Sequence, residues 1–122
     1  MHYQDNKMTQ LQIAYIGGGS RGWAWNLMAD LAMDGQLGGT IRLYDIDTEA
    51  AKSNEIIGNR LSDRSDVPGK WQYITAGSLE EALTGADFVI ISILPGTFDE
   101  MESDVHTPEK YGVYQSVGDS VG

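Results

Sequence analysis

Six residues restrict what this chain can fold into more than anything else in it: Gly17-Gly18-Gly19-Ser20-Arg21-Gly22. They form a G-x-G-x-x-G pattern directly after the apolar, strand-like residues 11–16 and at the head of a helix read over 21–33. In that helix Leu27 and Leu31 share one face, with Ala24, Met28 and Ala32 beside them. Glycines in this order suit a tight turn at Gly17, close approach of an anion at Gly19, and close helix–strand packing at Gly22. The first amides of a helix lack intrahelical acceptors, and its dipole adds positive potential there, so the turn reads as a cradle for a pyrophosphate. Ser20 adds a hydroxyl donor.

The remainder of the chain repeats the same alternation of strand and helix. Residues 40–46 read as a second strand after Gly35, Gly38 and Gly39 break the first helix. Asp47 or Thr48 caps a second helix through Ile56, Ile57 and Leu61, with Asp47 favoured as the cap. Pro68-Gly69 turns the chain into a third strand at 71–75, and Ser78 with Glu81 gives a capping-box start to a short helix. Residues 87–94 form a fourth strand, apolar on both faces as a covered parallel strand is. Residues 97–111 are partly helical and 112–122 a loop. This predicts an α/β fold: a Rossmann-like, doubly wound parallel sheet with strand order 3-2-1-4. Residues 1–10 read as a flexible leader and 11–122 as the nucleotide-binding domain. The apolar fourth strand stands at an edge where a fifth should pair, so the sheet is expected to be truncated before its later strands and the chain to belong to a longer enzyme.

Two further features support a dinucleotide. Asp45 ends the second strand 23 residues after Gly22, where a carboxylate accepts hydrogen bonds from the adenosine ribose. No Asp or Glu occurs between Asn6 and Ala29, although the chain carries 18 acidic against 8 basic residues. The surface meant for a pyrophosphate is thus free of competing charge. Asp45 would repel a 2′-phosphate, and Ile46, Asp47 and Thr48 supply no arginine to receive one, so NAD is favoured over NADP. The net charge of −10 argues against nucleic acid and anionic membranes as partners, and with no cysteine the chain has no disulfide and suits a reducing cytoplasm.

Other residues divide between functional and ordinary readings. Pro95-Gly96 follows the fourth strand, where ligands lie in such sheets, and reads equally as cofactor border or plain turn. His106 is expected on the surface: the only other histidine is His2, and no metal-ligand spacing exists, so no metal site is expected. Trp23 and Trp25 point to different helix faces, one into the core and one towards an interface or cleft. With the open strand edge, this points towards a homo-oligomer. Asp119 reads as a solvated loop acid. No catalytic residue is assigned in this chain.

From Ile13 onward the sequence resembles the amino-terminal domain of the family 4 glycoside hydrolases. The matching stretches are Ile13-Ala14-Tyr15-Ile16-Gly17-Gly18-Gly19-Ser20, Leu43-Tyr44-Asp45-Ile46-Asp47, Gly85-Ala86-Asp87-Phe88-Val89-Ile90 and Tyr111-Gly112-Val113-Tyr114-Gln115. Within the family, Ser92-Ile93-Leu94-Pro95-Gly96 and Gln115-Ser116-Val117-Gly118-Asp119-Ser120-Val121-Gly122 are most similar to the α-galacturonidase branch. The resemblance implies hydrolysis of α-glycosides by redox and elimination. NAD takes hydride from carbon 3 of the sugar, a base removes the acidified proton on carbon 2, the glycosidic oxygen leaves, and water and hydride add back. A divalent metal, manganese, polarises the oxygens near the ketone. The family's metal ligands and catalytic residues lie downstream of Gly122. What carries over is cofactor binding by Gly17, Gly19, Ser20, Gly22, Asp45, Pro95 and Gly96, with Asp119 as a substrate-side contact to a small sugar.

Two alternatives stay open. One is a fragment of an NAD-dependent 2-hydroxy acid dehydrogenase; such enzymes hold the substrate carboxylate with arginines, some after the fourth strand, whereas the last arginine here is Arg64. The other is a non-enzymatic NAD-binding module, which accounts for the short chain.

Overall fold

The computed structural model describes residues 1–94 and 96–115. Strands are β1 (His2–Gln4), β2 (Lys7–Ile16), β3 (Leu37–Tyr44), β4 (Lys70–Thr75) and β5 (Phe88–Ile91). Helices are α1 (Gly22–Met33), α2 (Thr48–Ser62), α3 (Leu79–Leu83) and α4 (Phe98–His106), the last followed by a 3-10 turn at Thr107–Tyr111.

Strands β2, β3, β4 and β5 run parallel, with β2 between β3 and β5, and β4 outside β3. Alternation along β2 divides the core. Leu11, Ile13 and Tyr15 face α1 and α2 and pack with Ala24, Met28, Leu31, Ile41, Leu43, Ala51, Trp71 and Tyr73. Ala14 faces the other way, into a smaller cluster with Ala76 and Ala82 under α3. Helices therefore cover both faces, and the carboxyl ends of β2, β3 and β5 open on one side.

Residues 1–10, expected as a flexible leader, are a hairpin instead. β1 pairs antiparallel with the start of β2, Gln4 opposite Lys7. The two turn residues Asp5 and Asn6 take φ of 52° and 58°, the left-handed conformation that Asp and Asn tolerate better than most residues. The second core strand also begins earlier than expected. Gly38 and Gly39, expected to break the first helix, belong to β3 instead, and a side chain at Gly39 would meet the Leu11 carbonyl oxygen at 2.1 Å. The expected fourth strand ends early, at Ile91. Its last ladder bond runs from the Ser92 amide to the Ile16 carbonyl at 2.9 Å, where β2 turns away into the glycine loop.

α2 buries a row of small residues, Ala51, Asn54, Gly58 and Ser62, and leaves Ile56 and Ile57 partly exposed. The reason lies across the interface. A Cβ on Gly58 would stand 2.5 Å from the Tyr73 ring, so bulk comes from the sheet and the helix must be slim there.

Candidate functional site

The loop from β2 to α1 is held by β3 and β5. Gly17 has φ +88°, and a Cβ there would fall 1.9 Å from the Ser92 carbonyl oxygen, so both its conformation and its contact with the end of β5 require glycine. A Cβ on Gly18 would meet Leu43 at 2.8 Å. The close packing expected at Gly22 is thus found at Gly17 and Gly18. At Gly22 a Cβ would meet nothing within 4 Å, so that expectation is corrected: the third glycine of the pattern opens the helix and makes no close approach.

The loop amides are also used differently from a simple anion cradle. Those of Gly17 and Gly18 both donate to the Tyr44 carbonyl, at 2.9 and 3.0 Å, fastening the loop to the end of β3. The Gly19 amide donates to Asp45 Oδ2 at 2.8 Å, and Asp45 Oδ1 accepts the Asp47 amide at 2.9 Å. Each carboxylate oxygen keeps a further lone pair for a hydroxyl. Ser20 Oγ accepts the Trp23 amide at 3.3 Å, which leaves its own proton free to donate. Anion-binding capacity then rests with that hydroxyl and the Arg21 and Gly22 amides at the head of α1, since the Trp23 amide is taken by Ser20 and no acidic side chain stands in the first turn.

Gly17, Gly19, Ser20 and Asp45 line one cleft of about 700 Å³ at the carboxyl ends of β2, β3 and β5. Ile46, Leu79, Ile93 and Leu94 give it apolar walls, and Gly96 stands at its lip. Gly22 is not among its lining residues. Pro95 and Asp119 lie outside the described residues. A Cβ on Gly19 would come 2.8 Å from both Asp45 Oδ2 and the Ala50 methyl, so only a bare backbone fits between the loop and this acid. The donor set and the bare loop fit an adenosine diphosphate moiety. Asp47 serves as N-cap of α2, accepting the Ala50 amide at 3.0 Å, which separates its role from that of Asp45.

A residue absent from the sequence reading is central here. Asn54, on α2 and only 2% exposed, donates to the carbonyls of Gly18 at 2.7 Å and Ser20 at 3.0 Å. Its own carbonyl accepts the Trp25 indole N–H at 2.7 Å. Neither tryptophan is core: Trp23 is 74% and Trp25 46% exposed, so the expectation of one buried ring is corrected. The only sequence sign of Asn54 is a polar residue in the middle of a helix, where asparagine is unfavourable without a partner.

His106 lies on the surface, its ring nitrogen 2.9 Å from Glu109. Among the described residues no three His, Cys, Asp or Glu side chains gather as metal ligands, and no helix is long and apolar enough to cross a membrane.

Residues 12–122 match the family 4 glycosyl hydrolases. An α-galacturonidase of Thermoanaerobacterium saccharolyticum is 70% identical over 122 residues, all of this chain and 26% of that protein. A crystal structure named for a glucosidase of Bacillus subtilis superposes with TM-score 0.74 at 56% identity, over 94% of this chain and 25% of that one. The 6-phospho-β-glucosidase of Thermotoga maritima, solved with manganese, NAD+ and glucose-6-phosphate, gives TM-score 0.61 at 30% identity, over 85% and 24%. The chain thus spans about a quarter of the length of the relatives it matches. With the glycine loop, the acid at the end of β3 and a match over nearly the whole sequence, the chain belongs to the family 4 glycosyl hydrolases.

Proposed function

We propose that the cleft holds NAD and that the complete protein hydrolyses α-galacturonides. One observation carries the first half: Gly17, Gly19 and Ser20, Asp45 and Gly96, three places far apart in sequence, line a single cleft at the carboxyl ends of parallel strands. NAD, when bound, supplies a reversible hydride acceptor. The chain's own residues bind and orient it. The Arg21 and Gly22 amides at the head of α1 and the Ser20 hydroxyl donate to the pyrophosphate, and the bare backbone at Gly19 lets it approach. Asp45 accepts the ribose hydroxyls with its free lone pairs and repels a 2′-phosphate. Ile46, Leu79, Ile93 and Leu94 shield the base from water.

We assign Pro95 and Gly96 to the cofactor border and Asp119 to the sugar side. The divalent metal, manganese in the Thermotoga relative, has no seat among the described residues, and we assign its ligands to a part of the enzyme outside this chain. We further propose that this part packs against β5, and that the enzyme self-associates and works in the cytoplasm. The exposed Phe88, Val89, Ile91 and Trp23 support the packing and association. The galacturonide assignment is supported by the 70% and 56% identities to α-galacturonidases.

The test is release of nitrophenol from nitrophenyl α-galacturonide and α-glucoside by the full-length protein. Galacturonide turnover that requires both NAD and manganese is expected. Turnover indifferent to NAD, or NAD reduction by lactate or malate, would replace this proposal with another.

A further inference from the structure

We infer that Asn54 is a positioning residue for cofactor binding, which presupposes the nucleotide site proposed above: it sets the direction in which the loop amides point. A buried amide side chain inside a helix costs stability unless it is bonded, and Asn54 is bonded at each polar atom. Its two N–H groups take the Gly18 and Ser20 carbonyls, the carbonyls of two alternate peptide units of the loop. In a planar trans peptide the C=O of one residue and the N–H of the next point in opposite directions. Drawing the Gly18 and Ser20 carbonyls towards α2 therefore turns the amides of Gly19 and Arg21 away from it. The Gly19 amide does point so, to Asp45 Oδ2 on the cleft wall. By the same geometry the Arg21 amide is held ready for an anion, and no carbonyl lone pair from these two units faces the pyrophosphate. The bond from Trp25 Nε1 fixes the Asn54 carbonyl, which settles which end of the side-chain amide donates to the loop.

Asparagine is specific to this task. Aspartate has the same length, but it loses at least one donor in either protonation state and brings charge towards the phosphates. Glutamine is one methylene too long.

The experiment is calorimetry on full-length protein with two probes, NAD and adenosine, the second lacking phosphates but using Asp45 and the apolar walls. Asn54→Asp is expected to weaken NAD about tenfold while adenosine changes by less than about twofold, because the phosphates meet the loop amides directly, whereas adenosine reaches the loop only through Asp45, which the Asp47 amide also holds. Equal weakening of both probes, or an unchanged NAD affinity, overturns the inference, since a merely structural asparagine gives no such split. Should Asn54→Asp not fold, Trp25→Phe decides: it removes one N–H from a half-exposed ring and should weaken NAD about threefold with adenosine unaffected. No change there overturns the inference equally. A wild-type protein that binds no NAD refutes the nucleotide site itself, and the inference with it.

Discussion

The two flanks of β2 are finished to different degrees. Towards β3 and β4, strand and helix side chains interlock: Ile41 and Leu43 are fully buried, Trp71 and Tyr73 nearly so, and α2 narrows to Gly58 to admit the Tyr73 ring. Towards β5, Phe88 is 54%, Val89 48% and Ile91 68% exposed, and α4 has no buried residue among those described. The cleft straddles the seam. The side formed by Asp45, Ala50 and the loop tied to β3 rests on the finished flank. The other lip of the cleft, with Ser92, Ile93, Leu94 and Gly96, rests on the open one. Preorganisation of the candidate site is therefore uneven: the wall formed by Asp45, Ala50 and the glycine loop is backed by a packed core, and the wall formed by the residues after β5 is not.

Substitutions can break this contrast. Gly17→Ala, on the seam, should have the largest effect, roughly 4 kcal/mol or more in denaturant unfolding, because both the left-handed φ and the Ser92 carbonyl forbid the methyl group. Leu43→Ala on the finished flank should cost about 3 kcal/mol through the cavity it leaves. An equally small loss from either would show the β3 side to be no better packed than the β5 side.

Tyr73 sharpens the comparison through pH. Burial pushes its phenol above the ordinary tyrosine value, since the phenolate is poorly solvated there. A folded pKa above the unfolded one means that its contribution is fully present below about pH 10 and is lost as pH rises from there towards the folded value. Unfolding free energy of the wild type should thus fall more steeply above that pH than that of Tyr73→Phe; identical slopes would contradict the burial. The smallest effect is expected on the open flank. Ile91→Thr should change the stability of this chain by less than about 0.5 kcal/mol, and by more in a full-length protein if further structure packs there.

Much of this architecture was legible in the sequence, and the parts that were not share a physical cause. The glycine loop and Asp45 are readable because covalent spacing alone brings a turn, a helix start and the end of the next strand together. Gly22 departs from its expected role because the pattern ties each glycine to a role by position, whereas a side chain at the pattern's third glycine would meet no neighbour. Asn54 was invisible for the opposite reason: a buried polar residue leaves no mark in apolar periodicity, and its partners are 34 and 36 residues away. The hairpin of β1 and β2 leaves little mark in the sequence because Asp5-Asn6 lacks the glycine that usually signals such a turn. β5 is shorter than its apolar run suggests because Ile93 and Leu94 continue that run past the point where Ser92 meets the loop and line the cleft instead.

Uptake of NAD by this cleft through Asp45 is the most direct test of the proposed site. Calorimetry of the full-length protein should detect NAD binding, weaker binding of NADP by about tenfold or more, and loss of that preference together with NAD affinity in Asp45→Ala. Absence of NAD binding by the wild type, or an Asp45→Ala variant that binds both cofactors as the wild type does, would contradict it.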